Sequence, residues 1–265
     1  MKTIQPVSHY LELLENLRIN PNFYVSEPYL NISRATCFEE DGWCWIEADG
    51  WCLFPPLQLC PFKDFPKKKI WSNFDDVKNT YEVWINGFTG QFLDLEYIYD
   101  PKRFLDLKGG LWATFRKNIN KWPREHENWI YYDHLDWFAG GVLIAEWLNN
   151  KSETVQDAHL LTQFCYLSDD PNIHRRCLYD EYENLVAINV WDENYKFINY
   201  RFCIVKQDVP YLDEFARWLF YTDSEIQRSG KLINDGGVLG SEGLERYKDK
   251  LNPLHKRKVF SWIKK

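Results

Sequence analysis

Val7, Tyr10, Leu11, Leu14 and Leu17 recur at three- and four-residue spacing, which places them on one face of a helix. Arg18 near its end and Pro21 beyond it predict where that helix stops. The pattern then changes period. Residues 35–60 read as β structure, and residues 43–48 and 51–54 flank Asp49-Gly50, a two-residue hairpin signal. Pro55-Pro56 ends the second strand or marks it as an edge. Lys67, Lys68 and Lys69 sit in a basic loop, and residues 81–87 fit a strand or a short helix. Tyr97 and Tyr99 end an extended piece before Asp100-Pro101, and a short helix follows through Phe104 and Leu107. After Gly109-Gly110 a basic helix is expected over residues 111–121, with Trp112, Phe115 and Ile119 inward and Arg116, Lys117, Asn120 and Lys121 on the remaining surface.

Two more helical patterns cover residues 133–150 and 152–167, the second with a capping-type start at Ser152 or Thr154. Residues 182–205 predict two antiparallel strands around Asp192-Glu193-Asn194. A helix opened by Pro210 turns Tyr211, Leu212, Phe215, Trp218 and Leu219 inward. A strand over 231–234, a glycine-rich turn, a helix over about 241–251 and a last strand over 257–263 close the chain. This order predicts an α+β fold, a mostly antiparallel sheet covered by helices.

The 265 residues suffice for one large domain or two small ones. With 13 Trp, 16 Tyr and 17 Phe, some indole N–H and phenol O–H groups are expected to line a pocket instead of a core. The net charge of −7 is uneven: residues 244–265 carry eight basic and two acidic side chains. An acidic body with a basic end excludes a general DNA-coating protein but allows one anionic substrate to be held locally. No apolar run is long enough to cross a membrane and no leader segment is expected. Seven Cys, none in C-x-x-C spacing, predict a reducing, cytoplasmic setting. Cys37, Cys44, Cys52 and Cys60 stand seven or eight positions apart, too far for the close ligand pairs of a zinc site, so buried thiols and no metal are expected.

The chain lacks the phosphate loop G-x-x-x-x-G-K-S/T and the zinc motif H-E-x-x-H. Gly240-Ser241-Glu242-Gly243 is not a nucleophile elbow, because Leu239 stands two positions before Ser241. His126, His134, His159, His174 and His255 are scattered. What remains is the helix start at Gly240-Ser241 after a glycine-rich turn, where backbone N–H groups form an anion site. Lys248 falls on the same helical face as Ser241. The plainer alternative is that the glycines permit turns with positive φ and the lysines are solvated.

Two blocks carry a resemblance, "EYIYDPKRFLDLKGGLWATFRKNINKW" and "INDGGVLGSEGLERYKDKLNP". They resemble the corresponding blocks of the DUF2156 family, related to the C-terminal domain of phosphatidylglycerol lysyltransferases. The resemblance implies two tandem GNAT-like (acyl-CoA N-acyltransferase-like) domains with mostly antiparallel central sheets, residues 1–125 and 126–265, meeting in a shared cleft. It implies transfer of an acyl or aminoacyl group to an amine or hydroxyl, with aminoacyl-tRNA or acyl-CoA as donor. Lys248 and Asn234, carried over by motif, and Asp235, which stands outside it, form the implied catalytic set: Lys248 for a phosphate or the developing oxyanion, Asp235 to orient an amine or act as base. Tyr97, Tyr99, Arg116, Lys117, Asn118, Gly240, Ser241 and Arg246 are the implied substrate-binding residues. The family's Asp-Leu-Gly stands here as Val238-Leu239-Gly240, with Asp235 earlier. The acetyltransferase pyrophosphate loop Arg/Gln-x-x-Gly-x-Gly/Ala is absent, which weighs against coenzyme A. Two further readings stay open. One is a phage or mobile-element acyltransferase modifying nucleic-acid bases, with Lys67–Lys69 and the basic helix along phosphates. The other is a non-catalytic binding module on the same fold.

Overall fold

The computed structural model describes residues 2–48, 50–58, 69–73, 88–150, 158–167 and 169–264. Asp49, Cys60, Lys67, Lys68, residues 81–87 and the expected caps Ser152 and Thr154 lie outside the described residues. The strands are β1 (Thr3–Gln5), β2 (Thr36–Glu40), β3 (Trp43–Ala48), β4 (Trp51–Gln58), β5 (Lys69–Asn73), β6 (Phe88–Tyr99), β7 (Ile130–Tyr132), β8 (His174–Tyr179), β9 (Leu185–Glu193), β10 (Phe197–Val205), β11 (Leu232–Asn234) and β12 (His255–Lys264). They form one sheet in the order β1-β2-β3-β4-β5-β12-β6-β11-β10-β9-β8-β7. Every pairing is antiparallel except β4 with β5 and β10 with β11.

The same motif therefore occurs twice: an antiparallel run, β2-β3-β4 or β8-β9-β10, followed by a parallel partner, β5 or β11. The last strand of each run crosses over. β6 pairs with β11 and β12 pairs with β5, and the two lie side by side at the centre of the sheet. Neither half can complete its sheet without a strand from the other.

Helices cover both faces of the second half. α1 (Val7–Asn16) and α2 (Glu27–Ile32) precede β2; α3 (Arg103–Asp106), α4 (Ala113–Ile119) and α5 (Trp122–Glu125) follow β6. α6 (Trp137–Asn149) and α7 (Ala158–Thr162), continued as a π turn over Gln163–Leu167, precede β8. α8 (Leu212–Thr222), α9 (Ser224–Ser229) and α10 (Glu242–Lys250) complete the chain. β9 is buried along nearly its whole length, as a strand covered on both faces must be. Under α8 the rings stack closely: Tyr200 on Phe220 at 3.9 Å and Phe104 on Tyr221 at 4.0 Å between centroids. The opposite face packs Leu143, Ile144, Phe164, Ile188 and Ile204.

Several details depart from the sequence pattern. Pro55-Pro56 neither end β4 nor mark an edge, since β4 runs on to pair Leu57 and Gln58 with β3 and also pairs with β5, and Lys69 of the expected basic loop opens β5. The helix expected over 133–150 begins at Trp137, because the Asp136 side chain accepts the Ala139 N–H and caps it there. The turn of the second-half hairpin falls at residues 194–196, since Asp192 and Glu193 remain in β9. Strands β1, β7 and β8 had no clear signal; in β8, His174, Arg175 and Arg176 interrupt the apolar alternation, and their charges are met by neighbouring groups.

Residues 19–26, from the first half, are clamped onto the second. Register slips between Tyr200 and Phe202, so Arg201 is the extra residue of a bulge in β10. Its guanidinium meets Asp192 twice, Nε to Oδ2 at 2.7 Å and Nη2 to Oδ1 at 3.0 Å, and donates to Ser26 Oγ at 2.9 Å and to the Phe23 carbonyl. Glu96 on β6 accepts the Phe23 N–H at 2.8 Å and Asn234 Nδ2 at 3.0 Å, and it faces Arg257 at 3.4 Å. Arg257 in turn donates to the Pro21 carbonyl at 2.9 Å. All of these charged side chains are buried. Removing one member leaves an uncompensated charge in the core. Arg201→Met is expected to lower stability by about 3–5 kcal/mol, read by urea denaturation, with part of the loss recovered when Asp192→Asn is added. A loss below about 1 kcal/mol would show that the pair is not what holds the 19–26 segment.

Candidate active site

β10 and β11 pair in parallel only from Phe197/Leu232 to Asn199/Asn234. Beyond that point β10 continues against β9 to Val205, while the chain after Asn234 turns away through Asp235, Gly236 and Gly237. The strands splay, and the gap is a cleft of about 560 Å³, within the size range of small-molecule sites. The Lys206 N–H donates to the Val186 carbonyl at 2.8 Å. In an antiparallel ladder such bonded pairs alternate, so Ile204 and Phe202, opposite Ile188 and Val190, bond to β9. The N–H and C=O groups of Cys203 and Val205 then point into the cleft. The Val205 carbonyl is taken by Gln207 Nε2 at 3.1 Å; the two N–H groups face the opening.

Polar side chains from α8 and α10 meet at one wall. Arg217 Nη1 lies 2.8 Å from Asp235 Oδ2, and Lys248 Nζ lies 3.6 Å from Asp235 Oδ1. Lys248 also donates to the Gly237 carbonyl at 2.8 Å and to the Asp235 carbonyl. It is 3% exposed. Burial pulls its pKa down, and Asp235 pushes back. Tyr247 lines the same wall, and its hydroxyl is a buried group without a hydrogen-bond partner among the described residues. Burial raises that phenol's pKa well above its ordinary value, with Arg217 opposing.

The glycine-rich turn is held from below. Asp94 Oδ2 accepts the N–H groups of Val238 at 2.9 Å and Leu239 at 2.8 Å. Gly237 permits that approach, because a Cβ there would lie 2.1 Å from Asp94 Oδ2. Gly236 adopts φ +60° and donates its N–H to Asn234 Oδ1 at 3.0 Å. The turn amides of 238 and 239 thus already hold a carboxylate of the chain itself. The start of α10 is likewise complemented internally: Ser241 Oγ caps it, accepting from Leu244 N, and Glu242 and Glu245 occupy its first turn.

Of the residues singled out from the sequence, Asp235 and Lys248 line the cleft. Asn234 sits behind them, buried and bonded to Glu96. Tyr97 and Tyr99 are fully buried beneath the turn, Tyr99 donating to the Lys248 carbonyl at 2.8 Å, and neither is among the lining residues. Arg116 donates to the carbonyls of Leu107 and Gly109, Lys117 is exposed, and Asn118 Nδ2 donates to Glu214 at 2.9 Å. Gly240, Ser241 and Arg246 are outside the lining, Arg246 pairing with Glu242 on the surface at 3.1 Å. Among the lining residues passed over are Arg201, Cys203, Arg217 and Tyr247. A signal existed for two. Arg217 is a charge on the apolar face of α8, four residues after Asp213, and Tyr247 shares a helical face with Leu244 and Leu251.

The end of β10 leads to α8, whose first turn carries Asp213 and Glu214. Burial, and then the neighbouring Asp213, raise Glu214 to about 7. An anion would meet two carboxylates at that helix start. Among the described residues no three His, Cys, Asp or Glu side chains gather as metal ligands, and no helix is long and apolar enough to cross a membrane. The Glu214 shift has a consequence for stability. Its folded pKa lies above its ordinary value of 4.5, so the folded state holds the proton longer than the unfolded chain, and stability falls as pH rises from about 4.5 through about 7. The difference in melting temperature between Glu214→Gln and the unsubstituted protein is expected to widen in favour of the variant across that window; a difference constant from pH 4.5 to 7.5 would contradict it.

No family model matches the chain, and neither does any curated protein. Solved structures do. A conserved protein of unknown function from Bacteroides thetaiotaomicron aligns with TM-score 0.79 at 12% identity, covering 100% of both chains. The C-terminal domain (DUF2156) of an Agrobacterium fabrum protein named as a lysylphosphatidylglycerol synthetase aligns with TM-score 0.63 at 12% identity, covering 98% of this chain and 92% of that one. A tandem GNAT protein from the clavulanic acid biosynthesis pathway aligns with TM-score 0.52 at 10% identity, covering 99% and 97%. The chain therefore has an α+β tandem GNAT-like fold, and the DUF2156 resemblance of its two sequence blocks holds at the level of the whole fold.

Proposed function

We propose that the chain is a transferase that moves an activated acyl group, aminoacyl in preference to a coenzyme A thioester, onto an amine in the cleft between β10 and β11. The observation that carries the reading is the splay itself. It turns the N–H groups of Cys203 and Val205 toward the opening of a cleft that Tyr247 also lines, its hydroxyl without a hydrogen-bond partner among the described residues. Two fixed N–H donors suit the oxyanion of a tetrahedral intermediate. The amine nitrogen bonds to the acyl carbonyl carbon, and the bond from that carbon to the leaving oxygen breaks. Tyr247 gives its proton to the leaving oxygen, and the proton shed by the amine nitrogen returns to Tyr247 through water. Asp235 has both oxygens engaged by cations, so its role here is to hold Arg217 and Lys248 in place beside the turn.

Charge supports an aminoacyl donor. Asp208 and Asp213 line the cleft, which suits an α-ammonium group, while three of its four lining cations, Arg201, Arg217 and Lys248, are already paired with Asp192 or Asp235, which leaves little for a pyrophosphate. The start of α8, where β10 ends, is acidic. A protein named as a lysylphosphatidylglycerol synthetase shares the fold. The free thiols fit a reducing, cytoplasmic setting. On this reading the two repeats are residues 1–125 and 126–265, with β6 and β12 exchanged between them.

The test is a thermal-shift comparison of a non-hydrolysable aminoacyl-adenosine amide with acetyl-coenzyme A. A ligand that binds only the folded state raises the melting temperature. The amide is expected to raise it and the thioester to leave it unchanged; the reverse would remove the donor assignment, and no response to either would remove the transferase reading. With a turning-over donor, Tyr247→Phe is expected to lower kcat by about 10²–10⁴-fold with KM little changed. An equal loss in KM would instead make Tyr247 a binding residue.

A further inference from the structure

The cleft has two unlike lobes. Successive side chains of a strand point to opposite faces of a sheet. Cys203 and Val205 face the α8 side and pack against its core, while Phe202 and Ile204 face the α6 side. The α8 lobe is the polar one just described. The α6 lobe is walled by Phe23, Tyr24, Tyr29, Trp147, Phe164 and Phe202. The rings form a continuous surface: Tyr24 to Tyr29 at 5.2 Å, Tyr29 stacked on Phe164 at 6.3 Å, Phe164 to Phe202 at 6.1 Å.

The charge at the floor of this lobe is already spent. Arg201 is 8% exposed, and its guanidinium lies over Phe23 at 4.4 Å, Tyr29 at 4.9 Å and Phe164 at 5.4 Å. Asp192 neutralises it through two hydrogen bonds. A phosphate or carboxylate entering the lobe would lose its hydration and find this cation already paired. A flat apolar body would meet aromatic faces at stacking distance. On the polar side Asp235 is already taken by Arg217 and Lys248, so the acceptor nitrogen enters as the free amine, its ammonium proton left to solvent. The wall is also pre-ordered, because residues 19–26 are fixed by Arg201, Glu96 and Arg257.

Resting on the transferase reading, we infer that the acceptor is an arylalkylamine: a primary amine on a flat aromatic body that fills the α6 lobe and brings its nitrogen to the carbonyl carbon whose oxygen is held at Cys203 and Val205. Nucleotide and phosphorylated acceptors are excluded from that lobe by the same neutral, aromatic lining.

The test is calorimetric binding of 2-phenylethylamine to the full chain, beside ethanolamine and phosphoethanolamine, with and without the aminoacyl-adenosine amide. 2-Phenylethylamine is expected to bind at least about tenfold tighter than either comparator, the scale of one well-buried ring. Trp147→Ala and Tyr24→Ala, at half-buried positions of the wall, are each expected to weaken it about tenfold or more while leaving the amide's affinity within about twofold. Circular dichroism and the retained amide binding show that these variants are folded. Equal binding of ethanolamine or phosphoethanolamine would overturn the inference, as would 2-phenylethylamine binding that neither variant weakens. The two readings fail separately. If the amide binds and 2-phenylethylamine does not, the acceptor class falls alone. If 2-phenylethylamine binds in the lobe and the amide never does, the transferase reading falls and the aromatic site stands.

Discussion

The paired charges of Arg201 and Asp192 are the constraint on which the rest of the structure hangs. Two ions this deeply buried are stable only with good geometry and every remaining donor satisfied. Here the contact is bidentate, Ser26 and the Phe23 carbonyl take two more N–H groups, and Asn199 adds a further bond to Asp192. Those partners come from the β9–β10 hairpin and the 19–26 segment, so one ionic centre ties a hairpin of the second half to a distant piece of the first. The bulge that places Arg201 lies beside the point where β10 leaves β11. Fold, cleft and cleft wall are therefore set by one local arrangement.

The exchanged central strands complete that logic. β6 delivers Glu96 to the same segment and Asp94 to the glycine-rich turn, while β12 delivers Arg257. A site in the second half is thus built on a strand and a loop from the first. This is a physical reason for the two repeats to stay in one chain: separated, the second repeat would lack the carboxylate that shapes its turn and the Phe23, Tyr24 and Tyr29 side of its cleft's aromatic wall.

Periodicity carried the helices α1, α8 and α10, the hairpins β3–β4 and β9–β10, and the last strand, because each has a one-sided apolar pattern. It did not carry the pairing of β6 with β11 and β12, since local pattern contains no information on which strands meet over 130 residues. The turn at 234–240 shows the limit most clearly. Its glycines and the following Lys248 were visible as an anion-holding corner, but the carboxylate of Asp94, more than 140 residues earlier, lies on the turn amides, and Lys248 reaches the turn's carbonyls from inside. Arg116 likewise turned to its own loop. The aromatic excess did foretell a lined pocket, without saying which rings. Tyr97 and Tyr99, read as cleft residues, are core; Tyr24, Tyr29 and Tyr247 form the walls.

On the proposed reading the donor's carbonyl oxygen accepts hydrogen bonds from the free edge of β10. Amide hydrogen exchange at single-residue resolution addresses it directly, because exchange reports which N–H groups are bonded. On adding the aminoacyl-adenosine amide, exchange at Cys203 and Val205 should slow while Ile204, already bonded to β9, stays unchanged. Unchanged exchange at Cys203 and Val205, with protection appearing at the Gly240-Ser241 helix start instead, would contradict the account and return the anion site to the glycine-rich turn.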